Sequence, residues 1–597
     1  MKKNILDSFF STENYSEVII SQNEAQNLSK QFDKFYKFNH FIFKKVFNEI
    51  FSYKYQEILI NRAISPITYI FFERFFRAYK FHVIRNGIYK VDKNFYKFKN
   101  VADLEEFSER SSFSNTFNVS IISNFLKILR KNKINTYKKV YCKNNYKLDR
   151  KNFKNLHLNY YSYPKKIVIK INLILEKIFN KFIYYKKIPL ITASTSDPAF
   201  HFHGLYLNYF AKLNNLKLIK DESFSESLRD KLVSNLKKNN LNLDIFLSNL
   251  KLDKETKKKI VDYYFEFIKS NYPSFFLENL EKNFNYQNKI LKKFKSKKIF
   301  SSDTESTVST ITYFVSKNLN FKIIKFQHGG HYGYFKDTLA INQIEIKNSD
   351  IFIANGWSAK IKKYNEKDYV KFVTLPSPFF SEKKKYFQSY KVSSDKKFDF
   401  VFLPQFVRPF TADIQGVSNF RRDVISEYLK EYWELAILLN KNNMTAIIKF
   451  YNKVTTNFIK KNLFQLKKKY KDNLYFEKYF NKGLTYKLVN SGNVILFDQP
   501  GTAFLECLYS GIPTMVYWKK IFSKPSKDSA PIFKQLNRAG IIHYDTKTLI
   551  KSYKDFKTNH NQWLNNKNRK DVINEFCKKY AFTDSDWMKA WKSYINK

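Results

Sequence analysis

Apolar and polar positions change period repeatedly between residues 297 and 357. KKIFSSD (297–303) is a short apolar run entering a polar turn. TESTVSTITYFVSKNLN (304–320) has helical spacing, FKIIKF (321–326) is another short apolar run, and IFIAN (351–355) a third. Short apolar runs bounded by turn residues read as buried strands, and apolar spacings of three and four read as helices. The same alternation returns further on. FDFVFLPQ (398–405), MTAIIKFY (444–451), VNSGNVILFDQP (489–500) and IPTMVYW (512–518) are strand-like; 420–441, NFIKKNLFQLKKKY and GTAFLECLYSG (501–511) are helix-like. Strands alternating with helices predict parallel sheets with their sites at the carboxyl ends of the strands.

The rest of the pattern is mostly helical. ISPITYIFFERFFRAYK (64–80) is an amphipathic stretch opening at Pro66, a core helix whose Glu73–Arg74 pair is a candidate to face a cleft. Residues 220–295 are helical and Lys-rich, with YPSFFLENL (272–280) starting a helix that carries Glu278. KIPLITAST (187–195) reads as a short buried strand. In FHFHG beyond it, His201 and His203 alternate on an extended segment that puts both rings on one side, but no third ligand stands nearby for a metal. The Ser/Lys-rich stretch 381–397 reads as a linker and 556–597 as a helical tail. The prediction is therefore an α/β protein: two doubly wound domains facing a cleft, with a large helical N-terminal elaboration. Its parts are 1–385 (helical region plus a first Rossmann-like domain), 395–555 (a second Rossmann-like domain) and 556–597 (tail).

Composition changes little of this. The formal net charge is +53, but Lys is spread through every segment. Most of it reads as solvated surface, with attraction to phosphate-bearing partners such as anionic lipid headgroups as the lesser part; nucleic acid is not expected. Cys142, Cys507 and Cys577 show no metal or disulfide spacing, which fits a reducing cytoplasm. The N-terminus lacks the apolar core of a signal peptide, and no run reaches the roughly 18 apolar residues of a membrane span. A cytoplasmic protein is expected, at most peripheral at an inner membrane.

Two segments concentrate candidate chemistry. The chain has 12 glycines and 9 histidines, yet QHGGHYG (327–333) holds three of the former and two of the latter at a strand end. A sharp turn at Gly329 and Gly330 would expose amides to the cleft. His328 would point at the reacting centre, as base on an acceptor hydroxyl or, preferred here, as donor to a departing phosphate; the competing reading is a Gly turn in which His328 caps backbone groups. In ILFDQPGTAFLECLYSGIPTMVYW (495–518) a strand ends at Asp498 and a helix starts at Gly501–Thr502. Its unpaired first amides make an anion site, Gly501 lets a phosphate approach, and Thr502 adds a hydroxyl. Glu506, one turn on, could accept both hydroxyls of a ribose. Asp303 and Glu305, after the preceding strand, are candidate acidic bases, or ordinary helix N-terminal acids. Arg408, Lys449 and Tyr451 end strands at the same edge as Gly501, where Arg408 could clamp a phosphate. Asp350 and Trp357 read as structural.

The pattern E-x-L-x-x-G-x-P, carried by Glu506, Leu508, Gly511 and Pro513, resembles the nucleotide-sugar-binding half of GT-B glycosyltransferases. There the matching Glu binds the ribose and the helix N-terminus the diphosphate. More of the chain is similar to a bacterial family of transferases from surface-polysaccharide gene clusters: KIFSSD, FKIIKFQHGGHYG, IKNSDIFIANGW, FDQPGTAFLECLYSGIPTMVYW, APIFKQLNRAGIIHYD and DWMKAWKSYI. The chain departs from that pattern at Pro500–Gly501, where Asn–Ser is common, and at Lys449, where Arg is expected. The resemblance implies two Rossmann-like domains in a GT-B-like arrangement, the first the acceptor-side domain and the second the donor domain. It implies a metal-independent glycosyltransferase with no cofactor, using a nucleotide-sugar donor and a glycan or lipid-linked glycan acceptor. The rivals are a CDP-alditol phosphotransferase, a non-catalytic protein binding nucleic acid or membrane through its basic surface, and a sugar-nucleotide epimerase or hydrolase.

Overall fold

The computed structural model describes residues 22–55, 57–87, 89, 95–131, 137–140, 161–191, 196–213, 216–221, 224–302, 306–336, 345–363, 368–404, 425–450, 464–477, 483–519 and 524–597. The N-terminal region is helical, as its periodicity predicts. It contains α1 (Gln22–Ile50), α2 (Glu57–Ile84) and α3 (Asn115–Leu129), with a small parallel ribbon of β1 (Phe95–Phe98) and β2 (Tyr137–Val140). α4 (Tyr163–Ile183) follows, then β3 (Ile188–Ile191), α5 (Asp197–Phe202) and β4 (Phe210–Lys212). Glu73 does not face a cleft. It lies in the core, ion-paired to Arg74 and Arg77, while Arg74 also donates to Asn118 at 2.8 Å. Two guanidiniums on one carboxylate offset the cost of burying it.

α6 (Lys254–Asn271), β5 (Lys298–Ser301), α7 (Thr307–Asn318), β6 (Lys322–Phe326), β7 (Ile351–Ala354) and β8 (Lys371–Thr374) complete the first sheet. All its strands are parallel, in the order β4-β3-β5-β6-β7-β8. The helical region packs on one face, its apolar cluster running from Phe35 and Phe72 through Tyr264 to Ile299 and Ile323. α8 (Pro378–Tyr386) leads to the second sheet: β9 (Phe398–Leu403), α9 (Ile425–Lys441), β10 (Ala446–Ile448), β11 (Leu474–Phe476), β12 (Gly492–Phe497), α10 (Thr502–Tyr509), β13 (Thr514–Tyr517) and β14 (Ile542–His543). Its order is β11-β10-β9-β12-β13-β14, again all parallel. Counted from β9 this is 3-2-1-4-5-6, the doubly wound dinucleotide-domain order, whose crevice opens where the winding reverses, between β9 and β12. The first sheet reverses between β3 and β5. Two doubly wound α/β domains are therefore present, as the alternation predicts.

Three local expectations need correction. His201 and His203 are not on an extended segment: Pro198 and Asp197 open α5, so the two rings diverge. His201 lies 3.4 Å from Glu176, and His203 is 2.9 Å from Glu382. The segment 272–280 is a single tight turn, Ser274–Phe276, and the helix starts only at Leu280; Glu278 lies between them, held by Arg229 at 2.6 and 3.1 Å. The stretch read as a linker begins inside α8, whose N-cap Ser377 accepts from the Phe380 amide and whose Lys383 is buried.

The tail returns to the first domain. After α11 (Lys567–Tyr580), the Phe582 amide donates to the Asn355 carbonyl and the Ser377 amide to the Phe582 carbonyl. α12 (Trp587–Asn596) then lays Trp587 and Trp591 against Phe200 and Phe326. The Trp591 indole donates to the Pro376 carbonyl at 2.9 Å. Trp591→Ala removes a fully buried indole and is expected to cost about 3–5 kcal/mol in urea unfolding; a loss below about 1 kcal/mol would mean that α12 is not part of the first domain's core.

Candidate functional site

β6 is an apolar run buried from Ile323 onward, and it delivers QHGGHYG to the carboxyl edge of the first sheet. Gln327 fixes the start of the turn: its amide donates to the Gly329 carbonyl at 2.7 Å, and its carbonyl accepts from the Asn355 amide and the Trp357 indole at 3.1 and 2.8 Å. The left-handed backbone falls at His331 (φ 60°) and Gly333 (φ 79°), not at Gly329 or Gly330. Gly330 answers a different demand. A Cβ there would lie 2.9 Å from the Thr502 nitrogen and Cα. The turn thus rests on the N-terminus of α10, and the Gly330 amide donates to the Thr502 hydroxyl at 2.8 Å. Gly329 also borders that hydroxyl. The two glycine-bearing segments singled out in the sequence are in direct contact.

Beyond Gly330 the turn enters the second domain. The Tyr334 hydroxyl accepts from the His331 amide at 2.8 Å and donates to the Pro500 carbonyl at 3.2 Å. Its ring packs on Phe533, Phe576 and Tyr580. The Ser526 amide and Ser529 hydroxyl donate to its carbonyl at 2.8 and 2.6 Å. His331 beside it keeps part of its surface accessible, but its Nδ1 is buried. Burial, with the nearby His328 second, pulls His331 down to about 4, so its ring is neutral near pH 7.

His328 stays partly exposed, its side chain 35% accessible. Its Nδ1 lies 3.0 Å from the Tyr332 hydroxyl, which donates to Glu345 at 2.7 Å. A phenol has one proton. With that proton on Glu345, the Tyr332 oxygen accepts from Nδ1–H, and the neutral ring carries its lone pair on Nε2. Tyr332 stands inside the motif and Glu345 thirteen positions on; no spacing in the sequence links them.

On the second domain, β12 and α10 present Gly501 at the winding reversal. An added Cβ there would meet nothing within 4 Å, so the first turn of the helix is open to a ligand. Glu506 is buried, paired with Lys383 of α8 at 3.2 Å; Lys383 also donates to the Leu484 carbonyl at 3.1 Å. Burial pushes Glu506 up, with Lys383 and then Lys449 opposing, and pulls Lys383 down to about 8. Burial also lowers Lys449, at the end of β10. Lys383 was hidden from sequence reading inside a Lys run. Glu431 of α9 was missed too: it is fully buried, and burial, then Asp498, hold its carboxyl far above the usual range. Asp303, Glu305, Arg408 and Tyr451 lie outside the described residues. Asp350 is bound by Lys317 and Lys363 at 2.5 and 3.0 Å and accepts from the Ile323 amide, a structural role. Among the described residues no three His, Cys, Asp or Glu side chains gather as a metal site.

A family model, LIC12162 family transferase, matches residues 4–595. The chain belongs to this transferase family. Among solved structures, the UDP-GlcNAc 2-epimerase from Methanocaldococcus jannaschii is similar over 53% of this chain and 82% of its own, at 11% identity and a TM-score of 0.32. A crystal structure of the Methanocaldococcus jannaschii UDP-GlcNAc 2-epimerase in complex with UDP-GlcNAc and UDP is similar over 65% of this chain and 99% of its own, at 13% identity and a TM-score of 0.30. No curated protein matches the sequence. No helix among the described residues is long and apolar enough to cross a membrane.

The turn's packing makes two predictions. Gly330→Ala forces the turn off α10 and is expected to cost about 1–3 kcal/mol in chemical unfolding, whereas Gly501→Ala, with open space around it, costs under about 1 kcal/mol. Equal losses would contradict the packing. His331 has a folded pKa below its unfolded value, so its contribution is complete above about pH 6.5 and lost as the pH falls towards 4, about 3 kcal/mol in all. His331→Asn, which tolerates the left-handed backbone, should flatten unfolding stability over that window by this amount; parallel curves for the two proteins would refute it.

Proposed function

We propose that this transferase moves a glycosyl group from a nucleotide-activated sugar to a hydroxyl of a surface polysaccharide or lipid-linked glycan, without a metal or other cofactor. The observation that carries the reading is the meeting of QHGGHYG with the start of α10 at the reversal point of the second sheet. It sets His328, backed by Tyr332 and Glu345, on the first domain's side of an open helix N-terminus at Gly501.

The donor diphosphate lies against the first amides of α10, where the helix dipole and unpaired N–H groups favour an anion. Lys449 adds charge, and Arg408 is assigned the same role. Glu506 serves the ribose through its carboxyl oxygens, whose ionised form Lys383 favours against the effect of burial. Thr502 accepts from Gly330, so its own proton remains to donate to a phosphate oxygen. The Gly330 amide is engaged with Thr502, which leaves Gly329 as the glycine of the turn that borders the phosphate. Because Nδ1–H donates to Tyr332 and leaves the lone pair on Nε2, His328 is assigned here as base and not, as the sequence reading preferred, as donor to the departing phosphate. Nε2 takes the proton of the acceptor hydroxyl as the sugar carbon–oxygen bond forms and the bond to the nucleotide diphosphate breaks, with Asp303 and Glu305 as the acidic alternatives. Oriented donors in a water-poor cleft stabilise the leaving diphosphate.

A thermal-shift series with UDP, GDP, CMP and CDP tests the donor site. One nucleotide should raise the Tm by mass action, and Lys449→Ala and Glu506→Gln should weaken that response roughly tenfold or more in ligand concentration. His328→Ala should keep the shift while transfer falls by about 10²–10⁴-fold. If no nucleotide shifts the wild-type protein, the reading fails.

A further inference from the structure

α4 is docked on the first domain by one side only. Ile169 is buried, the Asn172 amide donates to the His201 and Phe202 carbonyls at 2.7 and 3.2 Å, and Glu176 turns towards His201. At 100° per residue these three positions share one side of the helix. Among the described residues, the opposite side is apolar from Tyr163 to Phe179 and exposed. Tyr163, Ile167, Ile171, Ile174 and Ile178 fall within an arc of about 80°, and Phe179 extends it; their exposures run from 42% to 78%. Eight of the twenty exposed large hydrophobic side chains among the described residues belong to this one helix. Lys166, Lys170 and Lys177 form a row along one flank of the apolar arc, and the helix's only acid, Glu176, faces inward.

We infer that α4 is an interfacial helix that lies in the surface of an anionic phospholipid bilayer, isoleucines inward and lysines at the headgroups. The helix has 21 residues, but its interspersed lysines rule out a span and favour lying flat. The charge selects the occupant. Antiparallel face-to-face pairing with a second copy would bring two lysine rows together at a cost in repulsion, and parallel pairing would leave each row at a rim with no acid of this helix opposite it. An anionic bilayer complements the row, attracts a chain of formal net charge +53, and solvates the isoleucines with acyl chains. This inference does not depend on the chemistry proposed above. It places the acceptor-side domain at the lipid surface.

The test uses the full chain and sedimentation with vesicles of phosphatidylcholine alone or mixed with phosphatidylglycerol. Binding should appear with the anionic lipid and weaken with salt. Ile171→Glu/Ile174→Glu should lower partitioning roughly tenfold or more while Tm and any nucleotide-induced shift stay unchanged, since both side chains are exposed. As a second readout, Ile174→Trp should gain fluorescence that brominated lipid quenches beyond the wild-type background. The inference is overturned if the wild type does not sediment. It is equally overturned if the double Glu variant sediments as well as wild type, if it instead breaks a dimer with lipid binding intact, or if the new Trp is not quenched.

Discussion

Tyr334 is the pin on which the arrangement of the two domains depends. It belongs by sequence to the first domain and by packing to the core of the second, where it meets Phe533, Phe576 and Tyr580. Its hydroxyl joins the turn's own backbone to Pro500, just before the start of α10. A large ring inserted into a close-packed interior has one well-fitting position. The seven-residue turn between β6 and Tyr334 is therefore fixed at both ends. Gly330 reaches contact with Thr502 because both anchors require it, and only a residue without a Cβ fits there. α12 and the crossings at Ser377 and Phe582 tie the domains again from the far side.

That clasp bears on the chemistry. Where domains hinge freely, catalytic groups on opposite lobes meet only on closure. Here the His328 turn is already seated on the start of α10, so in the reaction proposed above the relation of proton acceptor to leaving group would be built into the resting fold. Orientation supplied in advance lowers the entropic cost of the reacting geometry. The Tyr332–Glu345 relay extends the same idea to the proton: it selects a His328 tautomer through a hydrogen bond. The buried pair Glu506–Lys383 is the electrostatic counterpart. Removing either partner would strand a charge in the interior, which is much more damaging than the pair is stabilising. Lys383 and Glu506 come from α8 and α10, so the connection between the domains takes part in the site.

The sequence revealed the interiors of the sheets and hid their edges. β3, β5, β6 and β7, and β9, β10, β12 and β13, all stand out as apolar runs, because strands buried on both faces carry few polar residues. In the two six-stranded sheets the strands missed are β4, β8, β11 and β14, their outer members; β1 and β2 of the small ribbon were missed as well. Each has four residues or fewer, and KFVT in β8 is largely accessible. Short edge strands protect a sheet from unwanted pairing, and their brevity erases their signal. The site was legible in proportion to how local it is. Gly501 and Thr502 follow from a strand–turn–helix pattern within one segment. Lys383 does not, since its meaning comes from Glu506 far along the chain, and neither does Glu345, which no sequence spacing links to Tyr332.

The glycines of QHGGHYG show why a correct location can come with a wrong cause. Their clustering pointed to conformational freedom at Gly329 and Gly330, yet the left-handed positions are His331 and Gly333. Gly330 is required by a neighbour 172 residues away. Gly333 meets both demands, since a Cβ there would lie 2.6 Å from the Trp357 ring. A sequence window registers that a Cβ is not tolerated, but turn strain and close packing leave the same mark. Only the second cause implies a partner surface, and here that surface is the start of α10. Of the three glycines in this turn it is therefore Gly330 that records domain contact, while Gly333 answers to its own backbone and to Trp357 of the same domain.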